Sequence, residues 1–269
     1  MFRELTMPRR LTQHLAAAMA ALAFAPALAA ADTGVPAVPP PAPAAPPGDS
    51  AGTVAPKPRL VRLSDERLLS RWANPARLSA IYSRHSGRSR RVGRTRFFTE
   101  DGFPEVYLLL NQYTDAQERE WVKIRIPKRP NGRTGWVPRD ALGPFHVNRF
   151  QLVIDRRTLR GKLYKSGRVV WSARVGVGKA STPTPAGNFW VREKFRFRNT
   201  PVYGTHAIGT AAYAPTLSDW PGGGVVGIHG TNEPGLIPGR PSHGCIRVKN
   251  PDVDRLWRLV PLGTPLRIR

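Results

Sequence analysis

The sequence predicts a mainly β protein with two small modules, and two observations support this class. Between residues 60 and 145, short apolar runs alternate with turn formers, as at Val106–Leu110 and Trp121–Ile126. Strands at this spacing are typical of small all-β barrels. Residues 147–269 continue the same texture with one clear helical segment, so we expect a second β-rich module there. The hydrophobic content of 41% excludes a wholly disordered chain.

The N-terminus predicts export. Arg3, Arg9 and Arg10 precede an apolar stretch from Leu15 to Leu28, and small alanines follow where a signal peptidase cleaves. We therefore expect a signal peptide over residues 1–31 and a location in the periplasm or cell wall. An uncleaved anchor of the same sequence remains an alternative, and it would also place the rest of the chain outside the cytoplasm. Residues 32–58 are rich in Pro and Ala, which predicts a semi-rigid linker.

The charge of the chain favours an anionic partner. The formal net charge is +24 over 269 residues, which suits a surface such as anionic cell-wall polymers. A surface of arginines without a partner remains open. The basic residues form no single dense run, so we expect no nucleic-acid partner. As a separate expectation, the protein is a monomer.

Residues 60–145 resemble bacterial Src-homology-3-like domains. The resemblance rests on Trp121–Ile126, then on Asn131–Val137 with its GRTGWV sequence, then on Ala141-Leu142. It implies a small β-barrel, and such modules often bind cell wall in exported proteins. An inert spacer is the other interpretation. In neither case do we expect this module to contribute catalytic groups.

The second module contains one helix with clear end signals. Asn250 is a candidate N-cap, Pro251 suits the first helical position, and Val253, Leu256 and Val260 follow at helical spacing. The segments that predict strands surround it: Phe150–Asp155, Lys162–Lys165, Val169–Val175, Asn188–Phe197, Val225–Ile228 and Pro265–Ile268.

The single cysteine, Cys245, is the candidate nucleophile. One cysteine excludes an intramolecular disulfide, and an exposed idle thiol is unfavourable in an oxidising compartment. Two histidines lie near it in sequence, His229 and His243. An imidazole within hydrogen-bond reach activates a thiol, so we expect His229 to lower the thiol pKa. Gly244 leaves the backbone amides beside the nucleophile open, which suits an oxyanion site.

Other interpretations of these residues remain. His229, His243 and Cys245 could ligate zinc, although no fourth ligand is evident, or Cys245 could be an inert buried thiol. Papain-like endopeptidases place the Cys before its His, the reverse of the order here. Sortases separate their His and Cys much further. A wall-binding protein with a degenerate catalytic domain is the non-enzyme alternative.

Two segments resemble the signature of L,D-transpeptidases with a YkuD-type catalytic domain. They are Ile228–Thr231, which contains IHGT, and Ser242–Val248, which contains SHGCIRV. The TPTPAG turn at Thr182–Gly187 resembles the TPTG turn of that family, with Ala186 as a departure. The resemblance covers residues of about 148–269 and implies a β-sandwich catalytic domain, with one or two short helices, over 147–269.

The resemblance implies peptidoglycan cross-linking without a metal or cofactor. In this family the cysteine attacks the carbonyl between the third and fourth residues of a tetrapeptide stem and releases the terminal D-alanine. The thioester then passes to the side-chain amine of a neighbouring stem, which forms a 3-3 cross-link. Carbapenems acylate the same cysteine. Hydrolysis of the thioester, a carboxypeptidase activity, is the alternative outcome.

The carry-over by position assigns the catalytic residues. Cys245 is the nucleophile and His229 the proton donor and acceptor, oriented by the Gly230 carbonyl. His243 and the amides of Gly244 and Cys245 line the oxyanion and leaving-group side.

Four further residues are substrate-binding candidates. Arg247 suits a bidentate contact with a substrate carboxylate, or it bonds a loop carbonyl. Ser242 lies in the same segment. His206 and Tyr213 precede the signature and form part of a lid, or they serve the structure only.

Overall fold

The structure is a computed structural model that describes residues 57–198, 200–218 and 223–269. These residues fall in one compact unit. The predicted signal peptide and nearly all of the predicted linker lie outside the described residues. None of the helices within the described ranges is long and apolar enough to span a membrane.

The first module is an antiparallel sheet of eight strands. Its order is β4-β3-β7-β6-β5-β2-β8, and β1 also pairs with β5. The strands are β1 (Arg59–Arg62), β2 (Ser70–Ala73), β3 (Ala80–Tyr82), β4 (Arg91–Arg94), β5 (Tyr107–Thr114), β6 (Glu120–Arg125), β7 (Thr134–Pro138) and β8 (His146–Asn148). The side chains of β6 alternate between buried and half-buried, which is the period-2 pattern of a strand with one face on a core. The likeness to Src-homology-3-like domains stays a prediction.

The boundary between the modules differs from the predicted one at residues 145–147. Strand β8 pairs with β2, so His146–Asn148 belongs to the first sheet. The side chain of Asn148 donates to the Leu262 carbonyl at 3.1 Å and to Thr264 Oγ1 at 3.0 Å. The second sheet begins two residues later, at Phe150. The backbone therefore passes between the sheets with no free linker.

The second module is a mixed sheet of ten strands with one helix. Its order is β11-β10-β9-β18-β13-β14-β15-β17-β12-β16. The strands are β9 (Phe150–Asp155), β10 (Arg160–Lys165), β11 (Arg168–Arg174), β12 (Gly176–Gly178), β13 (Gly187–Arg196), β14 (His206–Tyr213), β15 (Val225–His229), β16 (Gly239–Ser242), β17 (Ile246–Arg247) and β18 (Pro265–Ile268). Helix α1 spans Asn250–Leu259 with Lys249 as its N-cap, one residue before the predicted cap.

Strand β13 divides this sheet into two halves that enclose one core. Its first part, Gly187–Trp190, pairs with β18, and its second part, Val191–Arg196, pairs with β14. Apolar side chains of both halves meet in one buried cluster with Val253 and Leu256 of α1. Each fully buried aliphatic side chain contributes about 1.5–3 kcal/mol through removal from water. The mainly β prediction for this module is confirmed.

A buried cluster of charges joins the two modules. The Arg192 guanidinium of β13 contacts Glu105 at 2.6 and 2.8 Å and Glu100 at 3.1 Å. Arg96 bonds both carboxylates, at 2.7 and 2.8 Å. The side chains of Arg192 and Glu105 are fully buried. Burial alone would raise the pKa of Glu100, but the Arg192 charge and the Tyr213 hydrogen bond lower it to about 2.

Apolar contacts add to this connection. Val106 and Leu108 of the first module belong to the buried cluster of the second. The indole of Trp190 donates to the Val106 carbonyl at 2.7 Å. The first module is therefore packed on the second through its core and its charges, which a spacer on a flexible tether would not be.

Glu105→Gln tests the strength of the charge cluster. Removing one partner of a buried ion pair typically costs about 3–5 kcal/mol, because the remaining charge is left desolvated. We expect the lower end of that range, since Glu100 still contacts Arg192. Asp140→Asn, which removes the exposed partner of Arg77, is the control and should cost about 0–1 kcal/mol. Equal unfolding free energies for the two variants, measured in urea, would contradict this account.

Candidate active site

The pairing of β15 with β17 brings the predicted nucleophile and base together. The two strands are parallel, with Ile228 opposite Ile246 and His229 opposite Arg247. Residues two apart along a strand share a face, so His229, Arg247 and Cys245 project to the same side. All three line one cavity of about 260 Å³. Two segments separated by a long loop thus form one site.

His229 is held in one tautomer. Its Nδ1 lies 2.6 Å from the Gly230 carbonyl, which can only accept, so Nδ1 carries the proton. The Nε2 lone pair is then available to take a proton. The ring of Tyr203 packs edge-on against the imidazole at 4.9 Å between centroids. Behind Gly230, the side chain of Asn250 accepts the Thr231 N–H at 2.9 Å, so Asn250 braces this segment and does not cap the helix.

Burial keeps both reacting groups neutral. Desolvation lowers the pKa of His229 to about 4; the Gly230 hydrogen bond opposes this shift and the Arg247 charge adds to it. Desolvation also raises the pKa of the Cys245 thiol, against a backbone hydrogen bond at Gly227 and the Arg247 charge. The expected depression of the thiol pKa is therefore wrong for the resting protein. The arrangement suits transfer of the thiol proton to a neutral imidazole during attack, which is general-base chemistry.

The loop before Cys245 is held by its own hydrogen bonds. The Ser242 hydroxyl donates to the Cys245 carbonyl at 2.6 Å and accepts the Gly244 N–H at 3.2 Å. Gly244 has a φ of +127°, which L side chains rarely adopt. Two predictions are corrected here. Ser242 lines the cavity but is 2% exposed, and the loop takes both contacts of its hydroxyl. The Gly244 amide is engaged by Ser242. The Cys245 amide is then the candidate oxyanion donor.

Thr184 supports this loop from the Pro-rich turn, and sequence reasoning did not single it out. It is 1% exposed, accepts the Gly178 N–H at 2.9 Å and donates to the Gly244 carbonyl at 2.8 Å. In the sequence, the position of Thr184 within the TPTPAG segment is the only signal of this role. Its partner Gly244 is 60 positions away, so local patterning could not reveal the contact.

His243 and Arg247 both line the cavity. His243 is exposed, at the mouth of the site. Arg247 is 15% exposed, and its Nη1 contacts Glu233 Oε2 at 2.7 Å. The position that a substrate carboxylate would take on Arg247 is therefore filled by a carboxylate of the chain itself, and Glu233 is half exposed and can be displaced.

The two predicted lid residues lie outside the cavity. Tyr213 is 5% exposed, and its hydroxyl donates to Glu100 and, at 2.9 Å, to the Pro127 carbonyl. His206 contacts Asp254 at 2.6 Å and packs against the Trp257 ring at 4.7 Å. Neither residue lines the cavity, so the structural interpretation replaces the lid for both.

The first module shapes one wall of the cavity. This wall is lined by Ala214, Leu217 and Gly224 of the second module. The Arg129 guanidinium of the first module donates hydrogen bonds to backbone carbonyls of the same segment. Its distances are 3.1 Å to Ala214, 2.8 Å to Leu217 and 2.8 Å to Gly223. Arg129 also lies over the Tyr213 ring at 5.0 Å. These contacts connect the first module to the cavity wall; cell-wall binding and the inert spacer both stay predictions.

Within the three described ranges, no three His, Cys, Asp or Glu side chains converge as a metal site. The cavity offers a thiol, two imidazoles, a guanidinium and backbone amides for chemistry.

Comparisons with known proteins match the second module. The family model described as the YkuD L,D-transpeptidase catalytic domain matches residues 149–268. YkuD of Bacillus subtilis, whose name assigns it to the L,D-transpeptidases, is 35% identical over 125 residues, which is 46% of this chain and 66% of that protein. YqjB of the same organism, also named as an L,D-transpeptidase, is 30% identical over 44% of this chain and 69% of that protein.

Among solved structures, the catalytic domain of the E. faecium L,D-transpeptidase, determined by NMR, is 27% identical with a TM-score of 0.34. It covers 44% of this chain and 95% of that chain. The chain spans just under two thirds of YkuD from B. subtilis and about half of ErfK/SrfK from Salmonella typhimurium, at 66% and 52%.

The neutral state of His229 makes stability depend on pH. The unfolded chain binds a proton at this histidine below about pH 6.5, whereas the folded protein binds it only near pH 4. The contribution of His229 to stability is therefore complete above pH 6.5 and is lost as the pH falls towards 4, by about 3 kcal/mol in total. Histidine NMR should show one imidazole that titrates near pH 4 and is missing in His229→Gln. Titration of that signal near pH 6.5 would contradict the burial argument.

Proposed function

Because the chain belongs to the YkuD family of L,D-transpeptidases, we propose that it is a peptidoglycan L,D-transpeptidase with Cys245 as its nucleophile. One observation carries this proposal. Cys245 and a neutral His229 share one strand face and one cavity, with the imidazole tautomer fixed for proton acceptance. The substrate is a tetrapeptide stem that ends in D-alanine.

The first step is acylation of the thiol. Sγ attacks the carbonyl carbon of the third stem residue while the thiol proton passes to His229 Nε2. The Cys245 amide donates to the developing oxyanion, an interaction that removes about 3–4 kcal/mol from such barriers. The tetrahedral intermediate collapses, the carbon–nitrogen bond to D-alanine breaks, and the imidazolium returns the proton to the leaving amine. A thioester and free D-alanine result.

The second step is transfer to the acceptor. The side-chain amine of a neighbouring stem attacks the thioester carbonyl, and neutral His229 accepts a proton from that amine. The carbon–sulfur bond breaks and the proton returns to sulfur, which restores the thiol. Arg247 binds a stem carboxylate in place of Glu233, through two parallel hydrogen bonds to the guanidinium.

We extend the proposal to location and partners. The basic N-terminal residues with the apolar stretch after them support export, to the periplasm or cell wall. The net charge of +24 supports contact with anionic wall polymers beside the stem peptides.

Product analysis on the full chain tests the reaction. Incubation with disaccharide-tetrapeptides should yield dimers that lack one D-alanine, detected by mass spectrometry, and Cys245→Ala should yield none. Monomers that lack D-alanine would identify a carboxypeptidase, because water then replaces the amine. Unchanged substrate with folded protein would reject both activities and favour a wall-binding role.

A further inference from the structure

A second, smaller cavity meets the same cysteine and histidine from another side. It has a volume of about 120 Å³, and His229 and Cys245 line one part of it. Glu193 of β13 and Asp101 of the first module line another part. The proposed reaction assigns these two carboxyl groups no role.

A row of glycines forms the floor between the carboxyl group and the thiol. Glu193 pairs with Gly209, and Gly209 pairs with Gly227. Gly227 and Cys245 directly precede the paired residues Ile228 and Ile246, and the Gly227 backbone forms a hydrogen bond with the Cys245 thiol. Neighbouring strands are about 4.8 Å apart, and directly paired residues share a face. The two side chains therefore project over one face, with no side chain between them. A Cβ at Gly227 would meet only the Ile208 carbonyl, at 3.8 Å, so this position opens onto free space.

Glu193 is an incompletely partnered buried acid. It is 1% exposed, and its Oε2 accepts the Thr99 hydroxyl at 2.6 Å. Its Oε1 is buried with no hydrogen-bond partner among the described residues and lies against Gly209 on the cavity floor. Burial raises the pKa of Glu193 to about 7. The Asp101 charge and a hydrogen bond with the Asp101 carboxyl group add to the shift, whereas the Thr99 hydrogen bond and the Arg192 charge oppose it. A bound cation would replace the proton that the Glu193 and Asp101 carboxyl groups share and would relieve the repulsion between their charges.

The remaining walls suit the same ligand chemistry. Phe195, Phe197 and Tyr203 line the cavity with aromatic rings, which attract a cation over their faces. The two carboxyl groups are too few for a metal site among the described residues, where no cluster of three such ligands occurs. An anionic group would be repelled, whereas an ammonium group would be attracted by the two carboxyl groups and the aromatic rings.

We infer that Glu193 and Asp101 form a subsite that receives the acceptor of the second substrate as an ammonium ion. One proton passes from the ammonium group to the Glu193 carboxylate, the neutral amine then attacks the thioester carbonyl, and His229 takes the second proton and returns it to sulfur. The inference rests on the proposed function for the identity of the acceptor. Donor and acceptor then reach the thioester through different cavities, the larger beside Arg247 and the smaller beside Glu193. Asp101 belongs to the first module, so the acceptor subsite is built by both modules together.

The test separates amine transfer from acylation in the full chain. The donor is a disaccharide-tetrapeptide and the acceptor probe is Nα-acetyl-lysine amide, with its Nε-acetylated form as the uncharged control. Glu193→Gln should lower amine transfer relative to hydrolysis by about tenfold or more and raise the KM for the amine, since a charged hydrogen bond is lost. Thioester formation, measured as D-alanine release, should persist in this variant.

Gly227→Ala, which adds a methyl group to the cavity floor, should also lower the ratio of transfer to hydrolysis. Asp140→Asn, the matched removal of an exposed carboxylate, should match the wild type.

Binding without catalysis keeps the two proposals separable. In Cys245→Ala protein, Nα-acetyl-lysine amide should bind, as followed by NMR, and the added Glu193→Gln change should weaken it about tenfold. If the wild type forms no thioester, the proposed function fails, and this titration still decides the subsite. An unchanged transfer ratio in Glu193→Gln, or equal affinity for the charged and the acetylated probe, would overturn the inference.

Discussion

The parallel pairing of β15 with β17 is the constraint on which the site depends. It aligns His229 with Arg247 and places Cys245 diagonally across the same face, whereas an offset of one residue would turn these side chains to opposite sides. Most of the surrounding hydrogen bonds hold the ends of these two short strands. Ser242 and Thr184 fix the turn before Cys245, and Asn250 braces the segment after His229. Strand β17 has only two residues, so these contacts and its pairing with β12 add to the few hydrogen bonds that β15 supplies.

Burial then decides the chemical character of the pair. A desolvated imidazole and a desolvated thiol both favour their neutral forms, so the resting site does not hold a thiolate–imidazolium ion pair. In the proposed reaction, the thiol becomes reactive when a substrate carbonyl is in place and the proton moves to His229 during attack. A neutral thiol reacts more slowly with oxidants than a thiolate does.

Local patterns predicted the mainly β fold, the helix and the segments that hold Cys245 and His229, because these depend on residues close in sequence. Predictions failed where the deciding partner is remote. Tyr213 was a candidate lid residue, yet its hydroxyl donates to Glu100, which lies 113 positions away in the sequence. The His206 ring is held by Asp254, 48 positions away. Ser242 is a different case. Its partners are near, but only the φ of +127° at Gly244 turns them back onto its hydroxyl.

The pH profile of carbapenem acylation in the full chain tests the Cys245–His229 pair most directly. The wild type should gain one adduct, on Cys245, at a rate that is nearly constant from about pH 5 to 8, because the base is already neutral there. In His229→Ala the rate should fall by about 10²–10⁴ at pH 7 and then rise about tenfold per pH unit with the thiolate fraction. His243→Ala should keep the flat profile. A flat profile in His229→Ala, or a sloping one in the wild type, would contradict the account.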